Sequence, residues 1–194
     1  MKTITAIYTG IDTLLQNNPQ MSDPLNRYSK EMKQISGKRK KTDDDIVAMR
    51  EIELRAKMYW DEEIGVYVPS SWVTASIQGV SWSRAKIKKA DIRAAVFVTE
   101  PKLQLTYDGM ETVKAPLDIV KNDRFHRVMS LKQGQVRVVK AAPQFAKWSF
   151  AAEIEFDPEI INEAELKSLI EYGAAYGGFG DFRPTFGRAN VEFK

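Results

Sequence analysis

Cysteine is absent from this 194-residue chain, and histidine occurs once. Without cysteine there are no disulfides, no thiolate metal sites and no cysteine nucleophile, and nothing points to secretion. No apolar run reaches the roughly 18 residues that a membrane span needs. The opening MKTITAIYTGIDTLL is too broken by threonine and glycine to be a signal-peptide core. A soluble, intracellular protein is the expectation. A Gly-Lys-Ser/Thr triplet is also missing, which removes the P-loop. Net charge is only +3, so the total alone announces no polyanionic partner.

What is present is globular. Hydrophobic residues make up 43% and aromatics 10%, enough for one packed domain over residues 1–194, with a basic arm or insertion at about 18–60. The small net charge conceals segregation. Cations gather at Lys38, Arg39, Lys40 and Lys41, at Arg84, Lys86, Lys88, Lys89 and Arg93, and at Arg124, Arg127, Lys132, Arg137 and Lys140. Acids gather at Asp43 to Asp45 and Asp157 to Glu165. Local positive fields follow from this separation.

Thr3 to Thr9 alternates in the manner of a strand. Asn17-Asn18-Pro19 and Ser22-Asp23-Pro24 break regular structure, and the polar run from there to Lys41 reads as a loop or mobile arm. Thr42 and the acids after it start a helix from about Asp43 to Trp60. Gly65 to Pro69 is extended, and Ser70 or Ser71 caps a second helix whose Val73, Ile77 and Val80 share a face. Ile92 to Thr99 and Lys102 to Thr106 read as strands. Residues 125–131 and 135–140 read as a hairpin exposing Arg127, Lys132, Arg137 and Lys140, and Lys147 to Phe156 as a long strand. Asn162 and Glu165 open a helix from Glu163 to Tyr172, and Ala189 to Phe193 is a last strand. This order gives an α+β fold, a modified ferredoxin-like or RRM-like antiparallel sheet with helices on one face and a C-terminal glycine-rich loop.

That loop, GAAYGGFGDFRPTFGR from Gly173 to Arg188, is the focal stretch. Its glycines close a helix instead of opening one, so the dinucleotide fingerprint does not apply. Glycine allows positive φ and close backbone approach. With Arg183 and Arg188 among the glycines, the loop suits phosphate contact through backbone N–H groups and guanidiniums. The alternative is a connection whose aromatics pack inward.

Three stretches together resemble the RAMP superfamily, the subunits of CRISPR effector complexes. They are the opening strand with its turn, the segment VPSSWVTASI from Val68 to Ile77, and Gly178-Phe179-Gly180 through Gly187-Arg188 before the last strand. The ending GFGDFRPTFGR is also similar to that of small bacteriophage proteins. The resemblance implies a modified RRM fold that grips single-stranded RNA or DNA, as a homo-oligomer or a ribonucleoprotein subunit, or else a stand-alone phage member. It places the chain in the bacterial cytoplasm, and no cofactor, metal or membrane is called for.

The residues assigned to the strand are Lys38, Arg39, Lys40, Lys41, Arg84, Lys86, Lys88, Lys89, Gly178, Gly180, Arg183, Gly187 and Arg188. Nucleases of the superfamily use a histidine, and some backbone subunits use an aspartate after the first strand, which singles out His126 and Asp23. His126 lies in a predicted strand with no partner base, and an aspartate beside proline is ordinary turn chemistry. Asp43 to Asp45 are explained by capping without a metal. Binding without catalysis is therefore expected. The alternatives are an endoribonuclease using His126 or Asp23, and a phage interaction module that mimics or docks on a host CRISPR complex. Trp72, Trp82 and Trp148 are expected in the core.

Overall fold

The structure, a computed structural model, describes residues 1–194 apart from the Gln133 side chain. In chain order its elements are β1 (Lys2–Gly10), β2 (Leu14–Leu15), α1 (Arg27–Ser36), α2 (Asp43–Lys57), β3 (Trp60–Asp61), β4 (Gly65–Pro69), α3 (Ser70–Ala85) and α4 (Lys89–Ala95). There follow β5 (Val96–Val98), β6 (Lys102–Gln104), α5 (Pro116–Val120), β7 (His126–Gln133), β8 (Val136–Phe145), β9 (Ser149–Phe156), α6 (Glu163–Tyr172) and β10 (Ala189–Phe193). The chain is α+β, and every strand pairing is antiparallel.

Period-two alternation builds the main sheet, whose order is β10-β1-β9-β5. Ile4, Ala6 and Tyr8 stand opposite Ile154, Ala152 and Phe150, and all six are buried. They share one core with Val73 and Ile77 of α3 and Leu166, Leu169 and Ile170 of α6. Helices thus cover one face only. The end of α6 meets the first half of α3 at Gly173, where a Cβ would sit 2.8 Å from the Ser76 carbonyl oxygen. Two smaller sheets, β2-β8-β7 and β3-β4-β6, flank this unit.

Three local expectations are corrected. The stretch read as a loop or arm contains α1, which Asn26 caps by accepting from the Tyr28 amide. Tyr28, Met32 and Ile35, at helical spacing, pack with Ile52 and Ala56 of α2, and that burial orders the otherwise polar segment. The strand expected from Ile92 is helical through Ala95, because Ile92 and Ala95 fill the core from one side of a short helix. No serine caps α3. Its N-cap is Pro69 with no side-chain bond, since β4 runs straight into the helix and the Ser70 amide donates to the Pro101 carbonyl across strands. The α2 start, by contrast, is the full capping box at Thr42 and Asp45. Among the described residues no helix is long and apolar enough to cross a membrane.

Two tyrosines make the core sensitive to alkali. Burial holds the Tyr8 phenol far above its ordinary range, and its hydroxyl has no hydrogen-bond partner among the described residues. Burial, with Glu111 second, pushes Tyr107 up to about 12. A raised folded-state pKa keeps its stabilisation below the unfolded value near 10 and loses it as pH rises toward the folded value. Urea unfolding should therefore show stability falling between roughly pH 10 and 12. Tyr8→Phe should flatten that fall and, at neutral pH, raise stability by up to about 1 kcal/mol, because an orphaned hydroxyl is removed. A loss of more than about 1 kcal/mol would mean that the hydroxyl has a partner.

Candidate nucleic-acid interface

The glycine loop is folded back onto the start of the chain. After α6 the helix continues as a π-helical turn, Gly173–Gly177, closed by the Gly178 amide on the Gly173 carbonyl at 2.9 Å. The next amides are spent inside the protein. Phe179 N–H donates to Gly187 O, Asp181 N–H to Leu15 O and Gly187 N–H to Thr13 O, at 2.8, 2.9 and 2.9 Å. Gly180 and Gly187 both have positive φ, and a Cβ on either would collide with the carbonyl of Leu15 or of Phe179. Phe179 is buried edge-on against Tyr8 and Phe150. Gly178, Gly180 and Gly187 therefore shape a clamp, and the expected use of the Gly178 and Gly187 amides as anion donors is corrected.

Of the two loop arginines, one belongs to the clamp. The Asp12 carboxylate accepts from the Arg188 amide at 3.0 Å and from its Nε at 2.8 Å. The Asp12 carbonyl accepts from the Trp148 indole at 2.7 Å. Arg183, at the loop tip, is exposed and has no ion-pair partner among the described residues. Beside it Phe182 is held at φ 56°, a left-handed conformation costly for a bulky residue, and the residue is 37% exposed.

The hairpin β7–β8 comes alongside this tip. Arg127 sets its guanidinium 5.2 Å from the ring centre of Phe186. By register, Arg127, Met129 and Leu131 share a hairpin face with Lys140 and Ala142. Met129, Leu131, Lys140, Ala142 and Phe182 line a groove of about 380 Å³. At its base one carboxylate serves two ammoniums. Glu53 Oε1 is 3.2 Å from both Lys57 Nζ and Lys140 Nζ, and its Oε2 accepts from the Ala141 amide at 2.8 Å. The two ammoniums face an apolar wall and an exposed ring, and Glu53 and Asp181 are the carboxylates of the same groove. An exposed ring beside ammoniums is the pairing that stacked bases and their phosphates use.

The open face of the main sheet is different. Glu153, Glu155 and Glu192 stand on it with Thr3, Thr5, Ile7, Ala151 and Phe97, and no lysine or arginine of the four strands joins them. Phosphates are repelled there. The other predicted cations are scattered. Lys38 pairs with Asp45 at 2.6 Å; that bond, then the Thr42 amide, holds the Asp45 carboxyl below its ordinary range. Arg39, Lys40 and Lys41 are exposed beside it. Arg84, Lys86, Lys88 and Lys89 are exposed around the α3–α4 junction. Trp72 and Trp148 are half-buried and buried, but Trp82 is exposed, since it sits about 140° around the helix from Ile77.

His126 and Asp23 are occupied structurally. The imidazole bridges the Ile119 carbonyl at 3.0 Å and the Asp123 carboxylate at 3.3 Å, with 11% of its side chain exposed. Asp23 accepts from the Leu25 amide in a turn. Among the described residues no group of three or more His, Asp or Glu could hold a metal ion. No protein-family model and no curated protein matches the chain. The site therefore rests on geometry. Phe182, Phe186 and Lys57 were not singled out from sequence; the alternation of aromatics with arginine from Phe179 to Arg188 was the available signal.

Two substitutions test the clamp. Asp12→Ala should cost about 2 kcal/mol, the loss of charge-assisted bonds to Arg188. Gly187→Ala should cost about 3 kcal/mol or more, because positive φ and a carbonyl collision add. Chemical denaturation measures both, and a near-neutral Gly187→Ala would mean that the loop is not pinned as described.

Proposed function

We propose that this chain is a ferredoxin-like unit of RAMP type that binds single-stranded nucleic acid, RNA in the first instance, without cutting it. The ferredoxin-like reading is supported by the strand order β10-β1-β9-β5, with α3 in the connection from β1 to β5 and α6 between β9 and β10, two split β-α-β crossovers. The binding reading is carried by one observation, the guanidinium of the exposed Arg127 set 5.2 Å from the ring centre of Phe186 in the glycine loop. Arg127, Lys140 and Arg183 contact phosphates, which position a strand without reading it. Phe182 offers a face to any base. Successive copies assembling along one strand would suit such sequence-tolerant contacts.

Affinity for a labelled single strand should fall steeply with salt, with a log–log slope of about −0.7 per phosphate contacted. Arg127→Ala and Arg183→Ala should each make the slope shallower by about 0.7. RNA incubated with the protein, with and without Mg²⁺, should be recovered intact. A flat salt response in the wild type removes the binding reading, and cleavage that survives in the Asp23→Asn variant but not in His126→Ala would make the protein a nuclease.

A further inference from the structure

We infer that a second copy of this chain docks in the cavity between α1, α2 and β8, and that the docking element is the acidic turn at Ile160. The contact is made by protein alone, and it goes beyond the single-strand reading by naming the two surfaces through which copies join. The cavity, of about 360 Å³, is walled by Met21, Met32, Ile46, Met49 and Val139. Ile46 and Val139 remain 49% and 61% exposed, so the apolar wall continues onto the surface. Methionine adapts its shape to an incoming side chain. No aromatic ring lines this cavity, which leaves an unpaired base nothing to stack on. Lys41 and Arg50 stand at the same cavity, and among the described residues neither has an ion-pair partner. Lys140 and Glu53 also reach it but are paired with each other. The complementary occupant is an apolar side chain flanked by unpaired carboxylates.

The turn between β9 and α6 is such an element. Ile160 is 45% exposed there, while its neighbour Ile161 is buried in the core. The Asp157 carbonyl accepts from the Ile160 and Ile161 amides at 3.2 and 3.1 Å, and the Asp157 carboxylate accepts from the Glu159 amide at 3.0 Å. Ile160 is thereby fixed outward in advance, which lowers the ordering cost of docking. Asp157 and Glu159 flank it, and among the described residues neither has an ion-pair partner. The two surfaces lie toward opposite ends of the main sheet. β9 runs into the turn at the start of β1, where Phe156 stands opposite Lys2. Met21 and Lys140 of the cavity also line the groove at Phe182, in the loop that enters β10 opposite Gly10, at the far end of β1. A surface and its complement at opposite ends of one molecule make a heterologous contact, which repeats head to tail.

The test is sedimentation equilibrium of the nuclease-treated full chain, from about 10 to about 500 μM protein in about 50 mM salt. The wild type should show an average mass that rises with concentration past that of a dimer and falls as salt is raised. Arg50→Glu, Glu159→Arg and Ile160→Ser should each weaken the association about 10-fold. All three side chains are exposed, and circular dichroism checks that each variant is folded. Mixed in equal amounts, Arg50→Glu and Glu159→Arg should pair and stop at a dimer, since the first keeps only its turn intact and the second only its cavity. A monomeric wild type overturns the contact, as does a wild-type mass that stops at a dimer. Variants that associate as the wild type does, or a mixture that stays monomeric, overturn it as well. No nucleic acid is present, so each of these outcomes leaves the single-strand reading to its own salt test.

Discussion

The Asp12 side chain and carbonyl tie together three parts of the chain that are far apart in sequence. Its carboxylate takes the Arg188 amide and guanidinium, and its carbonyl takes the Trp148 indole. Around that knot the turn after β1, the start of β9 and the entry to β10 are brought into register. A carboxylate accepting two donors, one of them cationic, is worth more than a neutral bond. The knot also explains why the adjacent loop can hold a bulky residue, Phe182, at positive φ. Strain of that kind persists only where its surroundings over-determine it. The exposed loop tip is thereby presented on a rigid base.

Charge is distributed to match. A net of +3 describes no surface on this molecule, since the open sheet face is acidic while the hairpin, the α3–α4 junction and the loop tip are basic. A polyanion is steered by such local fields more than by the total. The proposed strand contacts therefore lie beside the sheet, on the hairpin and the loop tip, away from the sheet face on which an RRM would stack its bases. Glu53 shows how the basic side is kept compact. One carboxylate shared by Lys57 and Lys140 anchors α2 to β8 and leaves Lys140 at the groove.

Much of the architecture was legible because its signals are local. Alternation at Ile4, Ala6 and Tyr8, the capping box at Thr42 and Asp45, and the span from Glu163 to Tyr172 all follow from short-range sterics and hydrogen bonding. The α1 helix was hidden by polar composition, although Tyr28, Met32 and Ile35 carry the right spacing. The run from Ile92 was misleading because β-branched and apolar residues suit a buried short helix as well as a strand. Trp82 was expected in the core, but at about 140° around α3 from the buried Ile77 it faces water, which only the packing of that helix decides.

By itself the amino-acid sequence determined the class of fold, the edges of most elements and the identity of the focal loop, since each depends on neighbours within a turn or a strand. Tertiary structure alone decided what the loop's groups do. Which amides are spent, which arginine is tied and which ring is left facing water depend on carbonyls and carboxylates more than a hundred residues away, as Asp12 and Arg188 are, 176 positions apart. Hydrogen-bond partners at that separation are chosen by packing, and packing is a property of the whole chain.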